Sequence, residues 1–385
     1  MDFKLTEDQL DMQKMFRDFA LNEVKPIAEE IDANERFPEE NIKKMADAGM
    51  LGIPVPEEYE GQGSDILTYI LCVEELSKVC GSHGVIVSGH TSLCIDPILH
   101  YGTEAQKRKY IPDLATGRKL GAFGLTEPGA GTDASYQKTT AILEGDHYVL
   151  NGSKCFITNG AYADTFIIFA MTDKEQGNKG ISCFIVEKGF AGFSHGKHEN
   201  KMGIRASSTC DLIFENCIVP QENLLGEVGK GFGIAMGTLD GGRIGIAAQA
   251  LGIAEGAIDA TIKYVGEREQ FGKKISQFQN TQFELADMYA HVQAAKLLVY
   301  AAACKKDEAN SGAKVRYSLD AAMAKLVASE TASDVTRRCV QLFGGYGYIR
   351  EYQVERMMRD AKITEIYEGT SEVQRMVIAG NIGVK

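Results

Sequence analysis

The stretch Asp360-Ala-Lys-Ile-Thr-Glu-Ile-Tyr-Glu-Gly-Thr-Ser-Glu-Val-Gln-Arg375 sets one carboxylate, Glu368, between an aromatic ring and a glycine. Gly369 can take a positive φ or admit a ligand close to the backbone. Thr370 or Ser371 can cap a following helix whose first turn holds the acidic Glu372. A carboxylate aimed out of a turn at a helix start is a candidate for acid–base chemistry, although an ordinary loop entering a helix reads the same way.

Five other stretches have residues suited to ligands. Gly124-Leu-Thr-Glu-Pro-Gly-Ala-Gly-Thr-Asp133 offers amides from Gly129 and Gly131 and hydroxyls from Thr126 and Thr132, which suits a planar heterocycle or a phosphate, or a plain loop between strands. Gln341-Leu-Phe-Gly-Gly-Tyr-Gly-Tyr348 packs glycines among aromatics. In Thr238-Leu-Asp-Gly-Gly-Arg-Ile-Gly245, a helical context, each of the paired glycines weakens the helix by about 1 kcal/mol relative to alanine. Either a ligand or a tight helix crossing would compensate. Phe156-Ile157-Thr158 reads as a buried strand, and Arg268 with Glu-Gln-Phe-Gly272 and Gln279 as a solvated helix end with a turn.

In order and spacing these stretches resemble the acyl-CoA dehydrogenases from about Leu5 to about Gly380, and most of all the bacterial short-chain, butyryl-CoA type. The resemblance implies a catalytic base at Glu368 and a bound FAD. Phe123, Leu125, Thr126 and Thr132 would line the flavin, with Thr132 also bordering the acyl-CoA. Phe156, Ile157 and Thr158 would lie beside the flavin ring; relatives often have tryptophan where this chain has Phe156, and this chain has no tryptophan. Asp240, Gly241, Gly242, Arg243 and Gly369 would border the thioester and the CoA arm, and Thr370, Ser371 and Glu372 would complete the cofactor site. Arg268, Phe271 and Gln279, with Gln341, Leu342, Phe343, Gly344 and Gly345, would reach the FAD of a neighbouring subunit in a homotetramer. The implied reaction converts a short-chain acyl-CoA to a trans-2-enoyl-CoA and passes electrons to an electron-transfer flavoprotein. An enoyl-CoA reductase, an acyl-CoA oxidase, a dehydrogenase of other chain length and a non-catalytic helical interaction protein are the competing readings.

Composition excludes other classes. The 385 residues carry a formal charge of −12 and no long basic run, which argues against a nucleic-acid partner. No apolar run reaches a membrane span. The acidic start lacks a signal or transit pattern, and the nine cysteines contain no C-x-x-C, so a bacterial cytoplasmic setting is expected. There is no G-x-G-x-x-G after a strand, no Walker A sequence and no H-x-x-x-H or cysteine pair for a metal. His195 and His198 read as exposed, His90 and His291 as core residues.

The elements that must position these residues fall into an α–β–α order. Capping boxes at Thr6-Glu-Asp-Gln9 and Thr103-Glu-Ala-Gln106, with helices expected from Pro38 and from about Ile66, make residues 1–120 an N-terminal α-helical domain. Short β-branched runs at His147–Leu150, Cys155–Thr158, Thr165–Met171, Ile181–Val186 and Asp211–Val219 make 121–225 a middle antiparallel β domain. Long helical periodicities over Gly231–Val265, Thr281–Ala309 and Ser318–Gly344 make 226–385 a C-terminal domain of the four-helix-bundle type.

Overall fold

The structure, a computed structural model, describes residues 4–384. Its helical first part comprises α1 (Glu7–Phe19), α2 (Ala28–Ala33), α3 (Glu39–Asp47), α4 (Ile66–Ser77), α5 (Gly81–Ser88), α6 (Asp96–Tyr101) and α7 (Glu104–Ala115). Both expected capping boxes form: the Thr6 and Thr103 hydroxyls accept from the amides of Gln9 and Gln106, whose side chains bond back. Every residue of α4 is buried, which fits its nearly unbroken apolar sequence.

The middle part is one eight-stranded sheet of β1 (Gly121–Gly124), β2 (Thr140–Glu144), β3 (His147–Thr158), β4 (Thr165–Met171), β5 (Ile181–Glu187), β6 (Phe193–His198), β7 (Thr209–Pro220) and β8 (Leu224–Leu225). The order is β6-β7-β3-β2-β4-β5-β8, with β1 on β4. Pairing is antiparallel except that β1 runs parallel to β4 and Thr140 makes a parallel contact with Met171. The two runs expected at 147–150 and 155–158 are one strand. Irregularities between Leu150 and Gly152 and between Lys154 and Ile157 bend β3 without breaking it. The short strands β1, β2, β6 and β8 were not among the expected ones. On β6, alternation turns His195 inward between Phe166 and Phe193, so it is half-buried rather than exposed.

The last part comprises α8 (Gly231–Glu267), a small hairpin of β9 (Glu269–Gln270) and β10 (Lys273–Lys274), α9 (Gln279–Asn310), α10 (Ser318–Phe343), α11 (Val354–Ile363) and α12 (Ser371–Asn381). One apolar core joins Ile70, Leu71 and Val73 of α4 to Ala247, Leu251 and Ala254 of α8, Val292 and Val299 of α9, and Ala321, Ala328 and Ala332 of α10. His291 lies one residue off the α9 stripe that includes Val292 and is exposed, against the expectation of a core position. No helix among the described residues is long and apolar enough to cross a membrane.

Sheet and bundle meet at a π-helical turn, Gly89–Ile95, between α5 and α6, and all of it is buried. The Gly121 amide donates to His90 Nδ1 at 2.9 Å, so the other ring nitrogen carries the proton that goes to the Leu114 carbonyl at 3.0 Å. A Cβ on Gly89 would touch Thr158 at 3.4 Å, and one on Gly242 would press on Leu93 at 2.7 Å.

Candidate active site

Glu368 has φ 52° and Gly369 φ 93°. The left-handed conformation costs a non-glycine residue on the order of 1 kcal/mol, so the surroundings must enforce it. They do so through Gly369, whose carbonyl accepts from Lys325 Nζ and from Gln374 Nε2, each at 2.8 Å; Gln374 also reaches the Glu368 carbonyl at 3.2 Å. Thr370, rather than Ser371, is the cap of α12, accepting from the Val373 amide. Ser371 is buried in the first turn with its amide on the Glu365 carbonyl at 3.0 Å, and Glu372 is exposed beside it.

The side chain of Glu368 is thereby turned toward α8. Its Oε2 atom is buried and has no hydrogen-bond partner, and a Cβ on Gly242 would overlap it. Burial pushes the carboxyl up to about 7, while the Lys325 and Arg243 cations pull the other way. The Glu368 amide donates to no group among the described residues. A buried carboxyl with a raised proton affinity, beside a free backbone donor and a helix face bared by glycine, is an arrangement suited to general-base chemistry.

The neighbouring groups are held by their own pairs. Arg243 and Ser318 both bond the Asp240 carboxylate, yet the buried Arg243 Nε has no partner. Behind Gly241, the buried Lys306 ammonium donates to Asp96 at 2.8 Å. One turn further along the same face, the buried Tyr69 OH and Ser88 Oγ stand where a Cβ on Gly245 would go, with Ser88 and Ser92 within reach of the Tyr69 hydroxyl. Tyr367, the aromatic before the base, bonds the Gln249 amide oxygen.

The glycine-rich loop after β1 is open where its amides matter, because a Cβ on Gly129 or Gly131 would meet nothing within 4 Å. Thr132 is exposed, Thr126 and Phe123 are half-buried, and Leu125 is buried. The loop is pinned from beneath by Lys154, which is fully buried and donates to the Leu125 carbonyl at 3.2 Å, Glu127 at 2.7 Å and Gln137 at 3.0 Å. Ile157 is buried and Thr158 half-buried, in keeping with a buried strand, but Phe156 is not: at φ 60° on the bulge its ring is 64% exposed. An outward ring beside an open amide loop makes a cradle for a flat ligand.

The remaining candidates lie at the other end of the bundle. From Gly242 to Arg268 along α8 is 26 residues, about 39 Å, and from Lys325 to Gln341 along α10 is 16 residues, about 24 Å. Arg268 sits over the Tyr346 ring at 5.2 Å, Phe271 is 94% exposed at the hairpin tip, and Gln279, Gln341, Gly344 and Gly345 are exposed. Leu342 is half-buried. Phe343 turns its ring into the core, stacked on Tyr264 at 4.0 Å, so its side chain faces away from any ligand outside. Within one chain these residues do not come together with Glu368.

Lys325, Lys154, Tyr69, Ser88 and Gln374 were not singled out from sequence. For Lys325 a signal existed, since it falls on the buried stripe of α10 with Ala321, Ala328 and Ala332, where a lysine is out of place.

Family models described as the N-terminal, middle and C-terminal domains of acyl-CoA dehydrogenase match residues 6–118, 122–217 and 229–383. A short-chain specific acyl-CoA dehydrogenase of Clostridium acetobutylicum is 63% identical over 382 residues, covering 99% of this chain and 100% of that protein. The solved butyryl-CoA dehydrogenase of Megasphaera elsdenii superposes with a TM-score of 0.97 at 53% identity, over 99% of this chain and 100% of that one. A chain in a structure of the electron transferring flavoprotein of Acidaminococcus fermentans, solved toward a mechanism of flavin-based electron bifurcation, reaches a TM-score of 0.98 at 57% identity with both chains fully covered.

Proposed function

The chain belongs to the acyl-CoA dehydrogenase family, and on that premise we propose that it converts a short-chain acyl-CoA, butyryl-CoA foremost, to the trans-2-enoyl-CoA with Glu368 as the base. It is a flavin-dependent oxidoreductase with FAD as cofactor. The carrying observation is the buried, partnerless Oε2 of Glu368 facing the glycine-bared side of α8.

A thioester α-proton is too weakly acidic for an exposed carboxylate, so base and substrate both need help. Desolvation raises Glu368 to about 7, near the operating pH. The unused Glu368 amide is suited to donate to the thioester carbonyl oxygen and stabilise the enolate-like charge that develops there. Asp240, Gly241, Gly242, Arg243 and Gly369 would border the thioester and CoA arm.

The residues present fit FAD: the open Gly129–Gly131 amides, the outward Phe156 ring and the pinned loop form a cradle. Phe123, Leu125, Thr126 and Thr132, with Phe156, Ile157, Thr158, Thr370, Ser371 and Glu372, would hold it. Bound FAD supplies the acceptor for the β-hydride. An electron-transfer flavoprotein is the electron acceptor in this reading, supported by the likeness to the Acidaminococcus fermentans chain. A homotetramer is supported by the 39 Å or so between Arg268 and Gly242. A residue that far from the base, with the exposed Phe271, Gln279, Gln341, Gly344 and Gly345 around it, can serve a flavin only on another copy, through backbone alone at Phe343. Short chains are supported by Tyr69 and Ser88, whose buried hydroxyls stand one helical turn beyond the base. Eight buried and one exposed free thiol are in keeping with a reducing cytoplasm.

Anaerobic titration with acyl-CoAs of graded length tests the reading. Flavin absorbance should bleach best with butyryl-CoA, and Glu368→Gln should bind acyl-CoA without bleaching. Rapid bleaching in that variant, or a higher kcat/KM on octanoyl-CoA or glutaryl-CoA, would overturn the base or the chain-length assignment respectively. The same residues serve enoyl-CoA reduction in reverse, so steady-state rates in both directions with the reduced and oxidised carrier assign the direction.

A further inference from the structure

We infer that Lys325 is a positioning residue for Glu368: its buried ammonium, bonded to the Gly369 carbonyl at 2.8 Å, locks the left-handed Glu368–Gly369 turn and sets a positive charge behind the base. The inference rests on the reading of Glu368 as the base.

Lys325 has no exposed surface, and its neighbours on the inner stripe of α10, Ala321, Ala322 and Ala328, offer no side-chain acceptor. A lysine is almost never buried so completely without a partner. The acceptor it has is the carbonyl of the glycine that follows the base, and the carboxylate that acts on it most strongly is Glu368 itself. Gln374 donates to the same carbonyl from α12, so two donors from two helices converge on one oxygen. That geometry fixes two consecutive residues with positive φ, which a free loop would not hold.

The charge acts in parallel. The groups facing Glu368 are Lys325 from α10, Arg243 from α8, the Tyr69 hydroxyl from α4 and its neighbour Tyr367. Of these Lys325 opposes the effect of burial most strongly, with Arg243 next. Reciprocally, burial lowers Lys325 to about 8 and Glu368 is the first group holding it up. Lys325 therefore does two separable things: it aims the carboxylate through a hydrogen bond and keeps its proton affinity from rising further through its charge.

The test uses holoenzyme and the limiting rate of flavin reduction by butyryl-CoA as a function of pH. Lys325→Gln keeps a donor toward Gly369 but no charge. Its pH midpoint should move up by about one unit with the high-pH plateau largely kept. Lys325→Met loses both, so its midpoint should move likewise and its plateau fall at least about tenfold. Gln374→Ala removes the second donor but no charge, and should lower the plateau at an unmoved midpoint. A Lys325→Gln profile that matches the parent, with FAD bound, overturns the proposal even if Lys325→Met fails to fold. Glu368→Gln separates the two levels. Fast reduction in Glu368→Gln would remove the base itself, whereas a dead Glu368→Gln beside an unaltered Lys325→Gln profile removes only the role given to Lys325.

Discussion

The Oε2 atom of Glu368 occupies the space in which the Cβ of any residue other than glycine at position 242 would stand. The glycine is a steric condition for that placement of the carboxylate, and the two positions address one point in space. Gly242→Ala alone should therefore displace the carboxylate and slow flavin reduction, whereas Glu368→Gly combined with Gly242→Glu should recover part of the activity lost in Glu368→Gly. Recovery should stop about 10²-fold short of the parent, because the new carboxylate lacks Lys325 behind it and approaches at another angle. Stopped-flow flavin reduction checks this; equal rates in Glu368→Gly and the double variant would mean that position 242 does not reach the α-carbon.

The raised carboxyl of Glu368 fixes two pH dependences. Flavin reduction should climb with pH through a midpoint of about 7, since only the ionised base takes a proton. Stability should go the other way. The unfolded chain releases this proton at about 4.3 and the folded one at about 7, so the folded state binds more protons between those values and loses stability as pH rises through that window. Glu368→Gln, which carries no such charge, should gain on the order of 3 kcal/mol over the parent between pH 4 and pH 8. Denaturation of both proteins at the two pH values measures it, and a constant difference would contradict it.

Tyr69 and Ser88 should limit acyl length through their buried hydroxyls. A longer saturated chain would press methylenes against them and deprive them of polar partners, at about 1–3 kcal/mol for each group. Tyr69→Phe should raise kcat/KM for hexanoyl-CoA relative to butyryl-CoA by about tenfold, with FAD content unchanged. An unaltered ratio would place the end of the acyl site elsewhere.

Arg268→Ala should lower FAD retention and assembly together, since the side chain is far from its own Glu368 and free to meet a neighbour's cofactor. The ratio of flavin to protein absorbance, and sedimentation after dilution in salt, measure the two. Full FAD occupancy in a dilute sample would remove Arg268 from the cofactor's contacts.

The paired glycines and the turn that carries Glu368 were legible because their costs are local. Paired glycines inside a helix, as at Gly241 and Gly242, weaken it unless something needs the bare face, and Glu368 before Gly369 marks a turn that few sequences use. The long helices α8, α9 and α10 and the strand β4 followed from periodicity alone. The buried lysines were not legible in the same way. Lys154 lies between two bulges of β3, where the period that would reveal its inward direction is broken twice. The exposure of Phe156 was hidden by the same bulge, since a strand pattern assigns it the face its regular neighbours imply. Tyr69 and Ser88 come together at Gly245 because α4 and α5 pack on each other and on α8, a tertiary relation that no local pattern contains.

The π-helical turn at Gly89–Ile95 gives the molecule a common datum, in the machinist's sense. Gly89 gauges Thr158 on the sheet, His90 is pinned to the start of β1 and the end of α7, Cys94 Sγ reaches the Thr165 carbonyl at 3.6 Å, and Leu93 bears on Gly242 opposite the base. Parts dimensioned from one datum do not accumulate error along a chain of intermediates, so the strand that carries Phe156 and Thr158 and the carboxylate of Glu368 are referenced to each other across barely two turns of helix. The tolerance required is tight, because about 1 Å of slip costs about 10²-fold. A π-turn, with its extra residue, lets consecutive side chains leave the axis in directions that regular helix cannot offer, so that one short segment can gauge three surfaces at once.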